Sequence, residues 1–539
     1  MTKLLKRICA CILLIGLMCT LYLYKTTRGP DRDYAIDYTL PEGNEWPPIK
    51  QLEVGVAKRD ITPDLSAYDS WVDVDQDGAF NPEIDRYTDK NGNGTFDLVW
   101  LAGFGEQRPA QGIHDPLWAR AIAFRNNGIT LALVSIDSVG ITYDRYIPIR
   151  RKLAQVLPEL NHVSFAATHT HNAPDTIGLW SYDPIFDHRF DESYIQLIQE
   201  RCAEAVIEAV KNLKPAKTTY SQAYVPKANF SQDARPPEVV DHQLPLAWFQ
   251  DVASNETIAT LASWGMHPEG FGETFPQVSS DYVHYFREAM EKGVSEPKGF
   301  KGFGGTSVFF TGPVGGLMTQ LDIQIKDRTG TLHGKEGKSK AQGENLAKLA
   351  ALALRDSPTL PRRIMTDQRL ALSAQTFYLP VGWPLKVAVG LGVVHPGVYG
   401  LPFDTKVRSE LSAFRIGEIE ILTSPGEIYP EIIDGGIVNP KNADIKIDPV
   451  EVPPLRNQMQ GQINMNFNLA MDEVGYLIPK SQWDSEPPYT YHYTEDEPPY
   501  GEVYVGTPEA TPLVHRLSQK ILRRLHNRLS SSPKKATKN

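Results

Sequence analysis

Two histidines, His169 and His171, follow the apolar run Val163–Ala167, and this stretch constrains the fold more than any other. The run predicts a buried strand, and side chains two residues apart lie on the same face of a strand. We therefore expect both imidazoles to point into one pocket, where they could bind a metal ion. Pro174 then opens a loop, the usual place for a site built on a sheet. Taken alone, the pair is also compatible with two hydrogen-bonded polar residues.

Strand and helix patterns alternate around this stretch. Strands are predicted at Leu52–Ala57 and Thr130–Asp137, and helices at Tyr146–Leu157 and Glu192–Leu213. This order is typical of α/β proteins, and we predict a mixed β-sheet core with flanking helices in a single large catalytic domain. The last helix carries Cys202 on its apolar stripe, which indicates a core residue rather than a nucleophile.

The second half of the chain continues the mixed pattern. Pro245–Phe249 and Thr257–Trp264 predict a hairpin, and His267 follows its second strand. A histidine just past a strand end is well placed to join a site, although a surface turn histidine is the alternative. A strand is predicted at Phe414–Leu422 and a helix at Val514–Leu529.

Length and charge limit the class of protein. The chain has 539 residues, of which 41% are hydrophobic and 22% charged, and these are values of a globular protein. The formal net charge is −10, and the basic runs lie only at the two ends. A protein that neutralises phosphates would carry a basic surface, so the composition argues against a nucleic-acid partner.

The N-terminus predicts an exported protein. Lys3, Lys6 and Arg7 precede an unbroken apolar run, Ile8–Tyr24, which favours an uncleaved signal anchor over a cleaved signal peptide. The protein is then membrane-anchored, or else secreted. We expect a cytoplasmic start and anchor at residues 1–33, a spacer at 34–51, the catalytic domain at 52–528 and a disordered basic tail at 529–539, with 357–361 as the best candidate linker.

Two acidic loops predict a possible calcium site within an insertion at about residues 69–98. Oxygen-bearing side chains alternate along each loop, and a glycine at the sixth position permits a sharp turn, as in the first half of a calcium-binding loop. Position twelve is Ile84 in one loop and Trp100 in the other, so the usual bidentate glutamate is missing and a solvated acidic turn is the alternative. The candidate ligands are Asp73, Asp75, Asp77, Asp89, Asn91, Asn93 and Asp97.

Five motifs in order carry a resemblance to a known family. They are Gly112-Ile113-His114 with Ala119-Arg120-Ala121, Thr168-His169-Thr170-His171, Ser263-Trp264-Gly265-Met266-His267, Ser424-Pro425-Gly426-Glu427 and Gly475-Tyr476. From about residue 52 to 528 the chain resembles the catalytic domain of the neutral/alkaline non-lysosomal ceramidases, as a bacterial member.

This resemblance implies one zinc ion and hydrolysis of the amide bond of an N-acyl lipid such as ceramide. Carried over by motif, the zinc ligands are His169, His267, Glu427 and Tyr476. The implied mechanism is attack by metal-activated water, with His171 or Tyr476 as the group that protonates the leaving amine. His114 and Arg235 are implied as neighbouring pocket residues.

The sequence departs from the family pattern at two places. Met318 stands where the family has a serine proposed as a nucleophile, and residues 172–175 differ from the family's Ser-Gly-Pro-Gly. Two alternatives therefore stay open beside a zinc amidohydrolase. One is a calcium-stabilised surface binding protein without catalysis, and the other is a metal-dependent esterase or lactonase.

Overall fold

The structure is a computed structural model. It describes residues 7, 13–22 and 29–531, except for 44, 76–77, 79, 91, 93, 95, 106, 181–190, 296–298, 357–361, 383–385, 387–396, 402–403 and 505–506. The predicted linker at 357–361 and most of the basic tail therefore lie outside the described residues.

Two large sheets form the centre of the described chain. Their strands, in chain order, are β1 (Asp37–Leu40), β2 (Glu53–Asp60), β3 (Trp118–Asn126), β4 (Ile129–Ile136), β5 (His162–Ala167), β6 (Lys214–Tyr224), β7 (Gln243–Asp251), β8 (Thr257–Trp264), β9 (Thr306–Thr311), β10 (Arg363–Ile364), β11 (Leu370–Pro380), β12 (Val398–Leu401), β13 (Asp404–Ile416), β14 (Ile419–Thr423) and β15 (Ile463–Phe467).

The first sheet has nine strands in the order β9-β8-β7-β6-β2-β3-β4-β5, and β10 also pairs with β6. The pairs β4–β5 and β8–β9 are parallel, whereas the other pairs of this sheet are antiparallel. The predicted hairpin is confirmed as β7 and β8. The sheet is therefore mixed, as the sequence predicts.

The second sheet has six strands in the order β1-β11-β13-β14-β15, and β12 pairs with β13. Here β14 and β15 form the parallel pair. The prediction of one strand at Phe414–Leu422 is wrong, because Gly417 adopts a positive φ of 59° and turns the chain between β13 and β14. Within the predicted spacer at 34–51, Asp37–Leu40 forms β1, which pairs with β11 at the edge of this sheet.

Six helices cover the outer faces of the sheets in the part of the chain that the structure describes from residue 29 onward. They are α1 (Tyr143–Val156), α2 (Glu192–Lys211), α3 (Tyr282–Lys292), α4 (Lys335–Ala351), α5 (Pro430–Asp434) and α6 (Ala510–Ser530). The α4 helix continues as a π-helical turn, Leu352–Asp356, and single 3-10 turns occupy Leu65–Ala67, Arg456–Gln458, Lys480–Gln482 and Gly501–Tyr504.

Six two-stranded ladders complete the secondary structure of the described residues. They pair Ser70–Val72 with Arg86–Thr88, Gly112–Ile113 with Gln277–Val278, Gln232–Asp233 with Met318–Thr319, Gly293–Val294 with Phe300–Lys301, Ile325–Lys326 with Leu332–His333, and Glu427–Ile428 with Tyr476–Leu477.

The core has layers of helix, sheet, sheet and helix. Along β4, Leu131 and Leu133 pack in the cluster between the two sheets, whereas Ala132 and Val134 pack against α1 and α2. This alternation follows from the two-residue period of a strand that is covered on both faces. Cys202 is fully buried in the cluster under α2, so its prediction as a core residue is confirmed.

Little of the predicted N-terminal anchor is described. Residues 13–22 are helical, and the rest of the run Ile8–Tyr24 lies outside the described residues. Among the described helices, none combines the length and apolar character needed to cross a bilayer.

Candidate metal centre

The loops that follow the three parallel strand pairs of the two large sheets meet at one edge of the molecule. His169 follows β5, His267 follows β8, Glu427 follows β14 and Tyr476 follows β15. Because parallel neighbours end at the same edge, their carboxyl-terminal loops converge there, as in other sites of α/β proteins. The topology therefore brings residues far apart in sequence into one place.

Hydrogen bonds between these loops fix their relative positions. The Thr311 hydroxyl donates to the Thr168 carbonyl over 2.7 Å, and the Asn468 backbone N–H donates to the Thr311 carbonyl over 2.8 Å. Below them, Arg287 of α3 donates twice to Asp137 at the end of β4, over 2.8 and 2.7 Å, and both side chains are fully buried. Breaking such a buried pair is costly, so it holds α3 against the end of β4.

His169 and His171 do reach one pocket, although not by the predicted strand alternation. The strand β5 stops at Ala167, and His169 adopts a left-handed backbone with φ of 67°. A non-glycine residue in this region is strained and is held by its surroundings. Here the His169 backbone N–H donates to the Ser138 carbonyl over 2.9 Å.

Four side-chain donors converge in this pocket. The Nε2 atoms of His169 and His171 are 3.4 Å apart, and Glu427 Oε2 lies 3.5 Å from His169 Nε2 and 3.0 Å from His267 Nε2. All four residues are buried, and each is at most 7% exposed. The three histidines are close enough to hold one metal ion.

The outer nitrogens of two histidines are anchored to the backbone. His169 Nδ1 donates to the Val139 carbonyl over 2.6 Å, and His267 Nδ1 donates to the Met318 carbonyl over 2.7 Å. A nitrogen that donates to a carbonyl carries a proton, so Nε2 is the nitrogen of each ring that can release its proton and bind a metal ion. This second contact is typical of metal-binding histidines.

The outer nitrogen of His171 faces a carboxylate instead. Glu269 Oε2 lies 3.3 Å from His171 Nδ1, and Glu269 is 5% exposed. The sequence prediction missed Glu269, although it stands two residues after His267 in the turn beyond β8. A polar residue so close to a predicted ligand is the signal that could have identified it.

Burial and charge act against each other on the pKa values of these groups. Burial alone would lower the pKa of His169, but the Glu427 carboxylate outweighs it and raises the pKa to about 9. Burial would raise the pKa of Glu427, but His169 and His267 hold it well below its usual range. Burial lowers the pKa of His171 to about 4, while its neighbour Glu269 is held at a pKa of about 2 by His171 and His267.

Tyr476 lies directly beside Glu427. The two residues are partners in a short parallel ladder, and the Tyr476 side chain is 6% exposed. Its ring packs edge-on against Tyr429 and Tyr500, with centroids 6.5 and 6.0 Å away. Burial and the neighbouring Glu427 raise the pKa of Tyr476 well above its usual value.

His114 and Arg235, the other predicted pocket residues, make their contacts outside the four-donor group. His114 is exposed, lies 2.9 Å from the Tyr285 hydroxyl and packs against two phenylalanines of the loop beyond His267. Arg235 is buried and donates to both oxygens of Glu502 over 2.7 and 2.5 Å. Their assignment as pocket residues stays a prediction.

The acidic segment at residues 69–98 holds a second, looser group. Asp73, Asp75 and Asp85 are close enough to share one cation. Asp85 was not predicted, since it falls one position after Ile84 at the expected twelfth place. Asp77, Asn91 and Asn93 lie outside the described residues, Asp89 accepts the backbone N–H groups of two glycines, and the Asp97 backbone N–H donates to Asp69.

Comparison with known proteins identifies similar sequences. Residues 93–310 match the family described as "Neutral/alkaline non-lysosomal ceramidase, N-terminal". The neutral ceramidase of Pseudomonas aeruginosa is 25% identical over 219 residues, which are 38% of this chain and 32% of the relative. Neutral ceramidase A of Dictyostelium discoideum is 25% identical over 235 residues, 39% of this chain and 33% of the relative. The sequence matches thus span about a third of the length of these relatives.

Solved structures agree in fold over a longer stretch. The crystal structure of neutral ceramidase from Pseudomonas aeruginosa superposes with a TM-score of 0.61 at 16% identity and covers 90% of this chain and 75% of its own. A structure described as "Ceramidase complexed with C2" gives a TM-score of 0.60 at 16% identity, with 89% and 76% coverage. The prediction of a single large α/β domain is confirmed.

Proposed function

Because residues 93–310 match the neutral/alkaline non-lysosomal ceramidase family, we propose that this chain is a metal-dependent hydrolase of the amide bond in an N-acyl lipid such as ceramide. The observation that carries the proposal is the convergence of His169, His171, His267 and Glu427 in one buried pocket. Buried histidines and carboxylates in mutual contact are a mark of functional sites.

The donor set suits zinc. Ligands about 2.0 to 2.1 Å from a tetrahedral zinc ion lie about 3.3 Å from one another, and Glu427 Oε2 lies 3.5 Å from His169 Nε2 and 3.0 Å from His267 Nε2. We propose His169, His267, Glu427 and Tyr476 as the residues that would hold it. A zinc ion bound there supplies Lewis-acid chemistry, which makes water more acidic and polarises an amide carbonyl.

The residues of the chain have separate tasks in this proposal. His171 accepts a proton from the attacking water and passes it to the amide nitrogen, while Tyr476 is the alternative donor. The new bond joins the water oxygen to the carbonyl carbon, the carbon–nitrogen bond breaks, and a fatty acid and an amine leave. Burial of the four donor residues limits the access of bulk water to the reacting groups.

The residue at position 318 bears on the nucleophile and on the substrate. Met318 replaces the family serine, and its carbonyl accepts a hydrogen bond from His267, so no serine nucleophile stands at this position. Water as the nucleophile agrees with that substitution. Ceramide, another N-acyl amine, or an ester of the same acyl group would all present a carbonyl to the centre.

Metal analysis and a substrate panel test the function. The purified protein should contain about one zinc per chain and release fatty acid from a short-chain fluorescent ceramide. A matched ester, cleaved with the amide left intact, would favour the esterase alternative. Absence of zinc together with no turnover on either substrate would contradict the proposal and favour a binding protein without catalysis.

We also propose that the protein acts outside the cytoplasm, attached to the membrane by its N-terminal run or secreted. The basic residues before the apolar run Ile8–Tyr24 support this location. Cell fractionation with antibody detection tests it, because a protein found wholly in the cytosolic fraction would exclude export.

A further inference from the structure

Two of the three histidines of the centre direct Nδ1 to the same kind of partner, and the third does not. His169 and His267 each direct Nδ1 to a neutral backbone carbonyl, whereas His171 directs Nδ1 to the Glu269 carboxylate. All three rings thus present Nε2 to the same pocket, but only His171 is backed by a charge. This difference separates its chemistry from that of the other two.

The His171 ring is confined on several sides. The Gly103 backbone passes so close that a Cβ at that position would lie 2.3 Å from His171 Cγ, and the Phe104 ring packs edge-on with its centroid 5.0 Å away. The His171 backbone N–H donates to the Pro268 carbonyl over 3.0 Å, which joins this loop to the turn carrying Glu269. Ring and carboxylate are therefore held opposite each other.

Glu269 is the acceptor that the His171 Nδ1 atom requires. This nitrogen is buried, and among the described residues it has no partner with full hydrogen-bond geometry. The carboxylate at 3.3 Å is slightly beyond the ordinary range of about 2.7 to 3.2 Å, so a small movement closes the bond. An ionised carboxylate can only accept, so the proton of a neutral ring must sit on Nδ1.

We propose that Glu269 is a positioning residue that holds His171 in the Nδ1–H tautomer, with the Nε2 lone pair aimed at the reacting groups. This inference deepens the proposed function, and its catalytic half rests on it. In that orientation Nε2 can take a proton from water and return it to the leaving amine, while the carboxylate stabilises the charge formed on the ring. Glu269 itself transfers no proton.

The test compares Glu269→Gln with Glu273→Gln. Glu273 is exposed in the same loop and makes a matched control for the loss of one carboxylate. We expect Glu269→Gln to lower kcat about 10- to 100-fold, with KM and zinc content close to wild type. Nitrogen-15 NMR of labelled histidines should report Nδ1–H for His171 in wild type and in Glu273→Gln, but a mixture of both tautomers in Glu269→Gln, whose amide can donate as well as accept.

Two results would overturn the inference. One is a Glu269→Gln protein with the kcat and the His171 tautomer of Glu273→Gln. The other is loss of zinc in step with kcat, which would place His171 among the metal ligands instead. If Glu269→Gln fails to fold by circular dichroism, Glu269→Ala removes the acceptor altogether, and an unchanged kcat and tautomer in that variant would count against the inference.

The tautomer measurement also separates this inference from the proposed function. If the wild-type protein hydrolyses no amide, the proposed function fails, yet the NMR comparison still decides whether Glu269 fixes the His171 proton. A wild-type spectrum with Nε2–H on His171 would overturn the inference even in an active enzyme.

Discussion

The buried histidine cluster and the acidic segment at residues 69–98 are both rich in metal-binding side chains, but they are built in opposite ways. The cluster takes His169, His267 and Glu427 from three distant loops and buries them. The acidic segment takes Asp73, Asp75 and Asp85 from one local stretch, in which Asp75 is exposed.

The carboxylates of the acidic segment are already partly satisfied. Asp85 accepts the backbone N–H groups of Val74 and Asn81 over 2.9 and 2.7 Å, and Asp73 accepts that of Gly78 over 3.0 Å. In the cluster, by contrast, the Nε2 atoms of His169 and His171 face each other at 3.4 Å. A cation is therefore optional in the acidic segment, whereas the cluster needs an ion or protons between its donors.

Removing two histidines of the cluster should have the largest effect on zinc content and hydrolysis. His169→Ala combined with His267→Ala takes away two donors, so zinc should fall from about one ion per chain to near zero, and hydrolysis should fall to the background rate. Plasma emission spectrometry and fluorescent-ceramide turnover measure this. His333→Ala, outside the cluster, serves as the control, and a double variant that keeps its zinc would refute the ligand assignment.

The stability of the zinc-free protein should depend on pH through the same cluster. The pKa of His169 is raised from 6.5 to about 9, so its pairing with Glu427 stabilises the fold fully below pH 6.5 and is lost as pH rises through 9. The change is about 3 kcal/mol, from about 1.36 kcal/mol per unit of pKa.

Thermal melting in a chelating buffer between pH 6 and 9 measures this loss. Glu427→Gln removes the partner and should flatten the curve. The acidic segment contains no histidine, so Asp73→Asn should leave the pH dependence of wild type in place. A wild-type melting temperature that rises from pH 6 to 9 would contradict the expected sign.

Calcium should produce the smallest effect, a change in melting temperature that depends on the acidic segment alone. If the acidic segment binds calcium, saturating ion should raise the melting temperature by about 2 °C, since ligand binding stabilises the folded state. Asp73→Asn should abolish that rise, while Asp33→Asn, an exposed residue elsewhere, should retain it. Equal shifts in both variants would exclude the segment as the binding site.

The sequence predicted the fold class and most elements because their patterns are local. Hydrophobic alternation and helical periodicity located β4, α2 and the hairpin of β7 and β8. The break at Gly417 was missed because an apolar run conceals a two-residue turn, and β1 was missed because its pairing partner lies more than 300 residues away. Long-range pairing leaves no periodic signal in a single short strand.

The site was predictable only where a motif or a strand end marked it. His169, His171, His267 and Glu427 were predicted, and the structure brings them together. The left-handed backbone at His169 could not be foreseen, since it depends on the surrounding loops. Glu269 was missed because its role follows from a contact with another loop.

The four proposed metal ligands come from two different sheets. His169 and His267 follow strands of the nine-stranded sheet, whereas Glu427 and Tyr476 follow strands of the six-stranded sheet. An ion bound there would link the two sheets. Residues 93–310 alone would supply only the ligands that follow the nine-stranded sheet. Hydrolysis should therefore be lost completely when the two sheets separate, and a fragment that contains only one of the sheets should have no partial activity.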